Sequence, residues 1–387
     1  MEKLFGIIDS LAEEYKDFLV KICSIESKSE DKEGVDAVCG AVLEKARELG
    51  LCINRRHIDG AGDVASVTFE NGGKGAPACI SAHMDTVFKK GEFGYPPVKE
   101  ENGILTGPGV IDCKGGIAVG MLVLDALKRA GYSDRPVKLI LQSDEEVESV
   151  NSGGKTLEFM LEEAKNACAF FNCECREAGR ITTGRKGIIR AYIDITGRAA
   201  HAGDYFEGSS AIREAAYKII ELETQSVKDG ITYNCGVIEG GTALNVVPDK
   251  CRVYIDVRIR DLAEYDKAMK VLEAAAAHVH VEGTCAEAVR ISDRKPMPRT
   301  EANGRLFAHI AKTAEKYGFG ALEEAYSNGG SDAAYTSLAG IPTVDDIGPI
   351  GDDYHTKHEW CDISSIAGSA KLIAASIVEI GKDGAAL

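Results

Sequence analysis

Apolar residues recur at helical spacing through Leu4, Ile7, Ile8, Leu11, Tyr15, Phe18, Leu19 and Ile22, and again through Val35, Val38, Val42, Leu43 and Ala46. Two amphipathic helices therefore open the chain. Short β-rich runs follow at 64–69, 78–82 and 137–142, with a glycine-punctuated helix over 116–130 between the last two. That succession predicts βαβ units and an α/β fold, a mostly parallel sheet flanked by helices.

The period changes after Gly187. Ile189, Ala191, Ile193 and Ile195 alternate with Arg190, Tyr192, Asp194 and Thr196, as expected of a strand with one face exposed. A helix near 210–223, strands near 232–238 and 251–259, a helix near 263–277 and a strand near 286–291 complete a small α+β layer that ends about Pro298. Helices from Glu301 and over 363–380 return to the first layer. The expected organisation is a first domain in two parts, 1–186 and 299–387, with 187–298 inserted. At 387 residues, two hydrophobic cores are the natural expectation.

Composition narrows the class. Hydrophobic residues make up 44% and charged residues 27%, which excludes a disordered scaffold. A formal net charge of -16 argues against nucleic acid or an anionic membrane as partner, since both require a basic face. The first residues pass into a charged helical pattern with no apolar signal-peptide run, so a cytoplasmic location is expected. The twelve cysteines are scattered, which suits reduced, buried thiols better than a disulfide frame. Cys173 and Cys175 form a C-x-C pair without a second Cys/His pair at finger spacing, and alternation along a buried strand accounts for both.

Five segments carry candidate chemistry. The run 78–82 delivers His83 and Asp85 to one side of a strand end, where Asp85 can orient the His83 ring. Asp112 lies in the glycine-framed turn 107–116, either as a helix cap or as a carboxylate able to bridge two ions. Asp144, Glu145 and Glu146 follow an apolar strand, and strand carboxyl ends are where sites form in open α/β sheets. One of these glutamates can bind a metal while its neighbour serves as general base. Glu174 ends another apolar run, and His355 stands in an acidic, glycine-rich C-terminal stretch. Each has an ordinary structural alternative as a cap, strand end or loop residue.

Taken together, the stretches S-A-H-M-D-T-V, G-P-G-V-I-D-C-K-G-G, S-D-E-E, I-T-G-R-A-A-H-A-G, N-V-V-P, D-V-R, N-G-G-S-D-A-A and Y-H-T-K-H-E resemble the M20 family of two-metal peptidases. That family includes glutamate carboxypeptidase, acetylornithine deacetylase and succinyl-diaminopimelate desuccinylase. The resemblance implies a zinc-exopeptidase-like sheet with an inserted ferredoxin-like lid and dimerisation domain. It also implies two divalent ions, zinc first, with cobalt or manganese able to replace it. His83, Asp112 and Glu174 would hold one ion, and Asp112, Glu146 and His355 the other. Glu145 would be the general base, with Asp85 orienting the His83 ring. Where the family often has Glu-Pro, this chain has Glu174-Cys175, which puts the geometry of that loop in question.

For the substrate, the resemblance implies that His201 reaches the active site of a partner subunit in a homodimer and that Asn245 contacts substrate. Arg258, in an apolar alternating strand, requires an anionic partner, and the resemblance implies a substrate carboxylate. Arg294 is a second such cation. The turn carrying Gly329, Gly330 and Ser331 enters a helix and offers backbone amides to an anionic group. The expected activity is cleavage of an amide bond beside an amino acid with a free carboxylate, on a small peptide or N-acyl amino acid. An N-acyl amino acid deacylase shares the same chemistry. A non-catalytic metal-binding protein would be expected to have lost the base or a ligand, whereas Glu145 and all five metal positions are present.

Overall fold

A computed structural model describes residues 1–382 and divides the chain into two compact units. The first comprises Met1–Gly184, Arg299–Tyr326 and the chain from Asp332 onward; the second comprises Arg185–Pro298 and Ser327–Ser331. One short segment thus departs from the expected organisation. Ser327–Ser331 joins the inserted unit because the turn packs on side chains there: Arg185 Nη1 donates to the Gly329 carbonyl at 3.3 Å and Arg258 Nη1 to the Asn328 carbonyl at 3.3 Å.

The first unit is built on a six-stranded sheet in the order Cys52–Arg56, Val64–Phe69, Val137–Gln142, Ala78–His83, Ala169–Asn172 and Thr343–Val344. The last four run parallel, while Val64–Phe69 runs antiparallel to both of its neighbours. Its central strands are apolar on both faces because both are covered. Ile80, Leu139, Leu141 and Phe171 face one core with the helices Glu2–Cys23, Lys114–Ala130 and Ile363–Glu379, whereas Cys79, Ile140 and Phe170 face another with Phe159 and Met160 of Lys155–Glu163. Burial of each such Ile, Leu or Phe contributes about 1.5–3 kcal/mol. The helix Lys114–Ala130 lies against strand Ala78–His83 and beneath the two terminal helices, so its first fourteen residues are all buried.

From strand Ala78–His83 the chain proceeds to a neighbour on one side, Val137–Gln142, and then to one on the other, Ala169–Asn172. The order of filling reverses at this point while the strands stay parallel, and in open α/β sheets the carboxyl ends beside such a switch are where sites form. His83, Ser143–Glu146 and Glu174 all emerge there.

In the second unit the expected strand of alternating residues is Gly187–Thr196, with Lys250–Ile259, Thr232–Gly240 and Cys285–Arg294 completing an antiparallel sheet. The spatial order is Thr232–Gly240, Lys250–Ile259, Gly187–Thr196, Cys285–Arg294, and the helices Ala211–Glu223 and Leu262–Ala277 complete a βαββαβ sequence. Ile189, Ile193, Val253, Ile255 and Val257 form its core with Ala215, Leu222, Ala268 and Leu272 from the helices. Among the described residues no helix is long and apolar enough to cross a membrane.

Candidate metal centre

Three strand ends and two loops of the first unit bring the acidic and imidazole groups together. His83 closes Ala78–His83, Glu145 and Glu146 follow Val137–Gln142, Glu174 follows Ala169–Asn172, and Asp112 precedes Lys114–Ala130. The Glu174 loop is shaped by close backbone approach: a Cβ on Gly116 would lie 2.3 Å from the Cys173 carbonyl oxygen, and one on Gly348 would lie 2.6 Å from that of Glu174. Only glycine fits at either place. Cys175, where the family often has proline, donates its thiol to the Gly351 carbonyl at 3.1 Å.

Asp112 is the centre of the arrangement. Its Oδ1 lies 2.9 Å from His83 Nε2, and its Oδ2 lies 3.2 Å from His355 Nε2. Each imidazole has a second carboxylate: Glu174 Oε1 is 3.7 Å from His83 Nε2, and Glu146 Oε2 is 3.1 Å from His355 Nε2. One carboxylate thus faces two His–Glu pairs, one through each oxygen. The two halves differ in access, with the His83 side chain 2% exposed and that of His355 53% exposed. His355 and Asp353 both take left-handed backbone angles, φ 62° and 58°, a costly conformation for non-glycine residues that is often met at functional loops.

Charge in this pocket is unbalanced. Burial, Asp112 and Glu145 push the Glu146 carboxyl up to about 8, and burial with Asp112 pushes that of Glu174 far above the carboxylate range. Asp112 is held well below that range despite burial, by hydrogen bonds to His355 and His83. Hydrogen bonds to Asp112 and Glu146 in turn raise His355 to about 10. Too little positive charge serves too many carboxylates, a deficit that divalent cations would fill. The donors fit that role, since His nitrogen and carboxylate oxygen are the ligands preferred by zinc and its neighbours. The donor atoms of His83, Asp112 and Glu146 lie within 4.8 Å of one another, as do those of His83, Cys113 and Glu174. The Cys113 thiol, however, donates to the Cys173 carbonyl at 3.1 Å.

Asp85 does more than face the ring of His83. His83 Nδ1 is 3.0 Å from the Asp85 carbonyl oxygen and 3.4 Å from its carboxylate, which leaves Nε2 free to point at Asp112. The fully buried Asp85 carboxylate also accepts the backbone N–H groups of Glu145 at 3.2 Å and Glu146 at 3.1 Å, and the Ser29 hydroxyl at 2.7 Å. It therefore fixes the segment after the strand that carries Glu145 and Glu146. Two supporting groups escaped the sequence reading. Glu359 Oε1 accepts the N–H groups of Ile111 at 3.0 Å and Asp112 at 3.2 Å, and Lys114 Nζ donates to the Ile25 carbonyl at 2.8 Å from a fully buried position. Both stand inside the quoted motifs, but their partners are remote in sequence.

The remaining residues of interest belong to the second unit and fall into two groups there. His201 and Asn245 meet at a short pair of strands, Ala200–His201 against Val246–Val247, where Ala202 N–H donates to the Asn245 carbonyl at 2.9 Å. Arg258, Arg294 and the turn Gly329–Ser331 form the other. The anionic partner that Arg258 requires is supplied internally by Asp256, at 2.6 and 3.1 Å, because both point to the same face of the strand. The buried Arg294 lies so close to Gly330 that a Cβ there would meet its Cδ at 2.6 Å. Arg185, also buried, donates to Ser327 Oγ at 3.1 Å and was not anticipated from sequence.

Residues 79–379 match the family model described as peptidase family M20/M25/M40. The chain is 30% identical over 375 residues to carboxypeptidase G2 of Pseudomonas sp. (strain RS-16), covering 94% of this chain and 88% of that protein. It is 23% identical over 343 residues to succinyl-diaminopimelate desuccinylase of Alkalilimnicola ehrlichii, covering 84% and 89%. In three dimensions it is similar to the crystal structure of aminopeptidase PepT from Bacillus cereus, with a TM-score of 0.79, 23% identity, and coverage of 96% of this chain and 99% of that one.

Proposed function

The chain belongs to peptidase family M20/M25/M40, and from that membership we propose an exopeptidase of glutamate-carboxypeptidase type, which cleaves the amide bond beside an amino acid with a free carboxylate. The observation that carries the proposal is Asp112, each of whose oxygens faces one His–Glu pair. In it His83, Asp112 and Glu174 hold one divalent ion, and Asp112, Glu146 and His355 hold a second, with zinc the natural occupant. Such ions polarise a scissile carbonyl and lower the pKa of water. Glu145 accepts the proton of the attacking water and delivers it to the departing nitrogen. Its main chain is anchored on Asp85 at 3.2 Å, so its position is inherited from the same carboxylate that backs His83.

Selectivity in this reading lies in the second unit. Arg258, paired with Asp256 and bonded to the Asn328 carbonyl, and Arg294, packed against Gly330, offer guanidinium groups to the substrate carboxylate. His201, reaching in from a second copy of the chain, stabilises the oxyanion, and Asn245 contacts the substrate. A homodimer is supported by an edge strand, Thr232–Gly240, with Val237 and Ile238 exposed, and by Ile212 and Ile220, exposed on the helix packed on it. Twelve free cysteines support a reducing compartment, the cytoplasm.

A substrate panel decides between carboxypeptidase and deacylase. Aroyl- and peptidyl-glutamates, offered beside N-acetyl and N-succinyl amino acids to zinc-, cobalt- and manganese-loaded protein, are expected to be cleaved with the higher kcat/KM. Preference for the N-acetyl or N-succinyl set would replace the proposal by the deacylase reading.

A further inference from the structure

A second cluster of metal-binding groups lies wholly within the second unit. Glu221 is on helix Ala211–Glu223, His278 caps the end of helix Leu262–Ala277, and His280 follows two residues later. Glu221 Oε2 is 2.9 Å from His280 Nε2 and 3.2 Å from His278 Nδ1. The two imidazole centroids are only 4.1 Å apart, and all three donor atoms lie within 4.8 Å of one another. Zinc bonds of about 2.0–2.2 Å in tetrahedral array set donors roughly 3.3–3.6 Å apart, so the two Glu221 contacts need lengthen by only a few tenths of an ångström to admit an ion.

The loop that carries both histidines is held from beneath by charge. Lys218, fully buried, donates to the carbonyls of Ala275 at 2.8 Å, Ala276 at 3.2 Å and His278 at 2.7 Å. Glu214, equally buried and 2.8 Å from Lys218, accepts the N–H groups of His280 at 3.0 Å and Val281 at 2.7 Å. A buried ion pair is a poor source of stability, because desolvation offsets much of its attraction. Here its hydrogen bonds fix the backbone of one loop, while Tyr217 stacks on the His280 ring at 5.0 Å and fixes its plane. Ring and backbone are thus set before any ligand arrives, the preorganisation a metal site requires. The His278 side chain is 58% exposed, leaving room for water as a further ligand.

We propose that Glu221, His278 and His280 bind one divalent ion of the zinc class, which ties helix Ala211–Glu223 to the end of helix Leu262–Ala277. Two imidazoles, one carboxylate and water are the donor chemistry such ions favour over magnesium or calcium. The proposal does not depend on the hydrolytic reading.

Zinc per chain, measured on full-length protein equilibrated with buffered zinc, tests it. His278→Asn combined with His280→Asn is expected to bind one zinc fewer than the native chain, with kcat/KM unchanged. Glu221→Gln, which leaves both rings in place, is expected to weaken that same equivalent. An unchanged zinc count in the double variant overturns the site. The native chain provides an independent reading: zinc is expected to protect His278 and His280 from diethyl pyrocarbonate, as mapped by mass spectrometry. Equal modification with and without zinc overturns it as well.

Discussion

Replacing Asp85 with Asn or Ala isolates the residue on which both halves of the centre depend. Its carboxylate accepts three hydrogen bonds at 2.7, 3.1 and 3.2 Å, from Ser29, Glu146 and Glu145, inside a site with no exposure. Hydrogen bonds to a charged group are worth about 1.5–3 kcal/mol each, so simple addition gives roughly 4–9 kcal/mol for Asp85→Ala. A water can enter the polar cavity left behind and recover part of this, and roughly 2–4 kcal/mol is expected in urea unfolding of the chelated protein. Asp85→Asn retains the shape and one acceptor oxygen but presents an amide N–H to a donor, so it destabilises less. Both variants are expected to weaken zinc affinity about 10–100-fold, the usual effect of losing a group that orients a ligand. At saturating zinc, kcat should fall while KM changes little, because Asp85 positions Glu145 without touching substrate. Native zinc affinity and native kcat in Asp85→Asn would refute the reasoning.

Glu145→Gln keeps the size of the side chain and removes its basicity, and about a 10²–10⁴-fold loss in kcat is expected with substrate affinity retained, by steady-state kinetics and equilibrium binding. Gly116→Ala forces a methyl to 2.3 Å from the Cys173 carbonyl, so roughly 1–3 kcal/mol of stability is expected to be lost, with weaker metal retention on the Glu174 side. Asp63 gives an acid-stability prediction. Burial would raise its carboxyl, but the Lys32 and Arg55 ion pairs bring it down from 3.8 to about 2. A lowered folded value stabilises above pH 4 and is lost as pH falls through 2, so Asp63→Asn should lower Tm near neutrality, with a deficit that shrinks toward pH 2.

Periodicity made most of the fold legible. Strand Val137–Gln142 and the alternating strand Gly187–Thr196 lie where apolar runs and alternation place them, since burial on two faces or one leaves distinct patterns. Strand Cys52–Arg56 was missed because it is a half-exposed edge strand whose sequence, C-I-N-R-R, has no apolar alternation. The acidic and imidazole residues around Asp112 were visible because they follow strands or glycine turns in a fixed order. Their support was not: Ser29 meets Asp85, and Glu359 meets Asp112, across long stretches of chain that only the fold closes. Arg258 shows the same limit in reverse. Its need for an anion was legible, but Asp256, two residues away on the same strand face, already supplies one.

Anomalous diffraction at the zinc edge, on crystals of the native chain and of His355→Ala, tests the bridging role of Asp112 most directly. Two peaks flanking the Asp112 carboxylate are expected in the native protein, one beside His83 and Glu174 and one beside His355 and Glu146, with only the first surviving in the variant. A single peak in the native chain, or two that Asp112 does not join, would contradict the account.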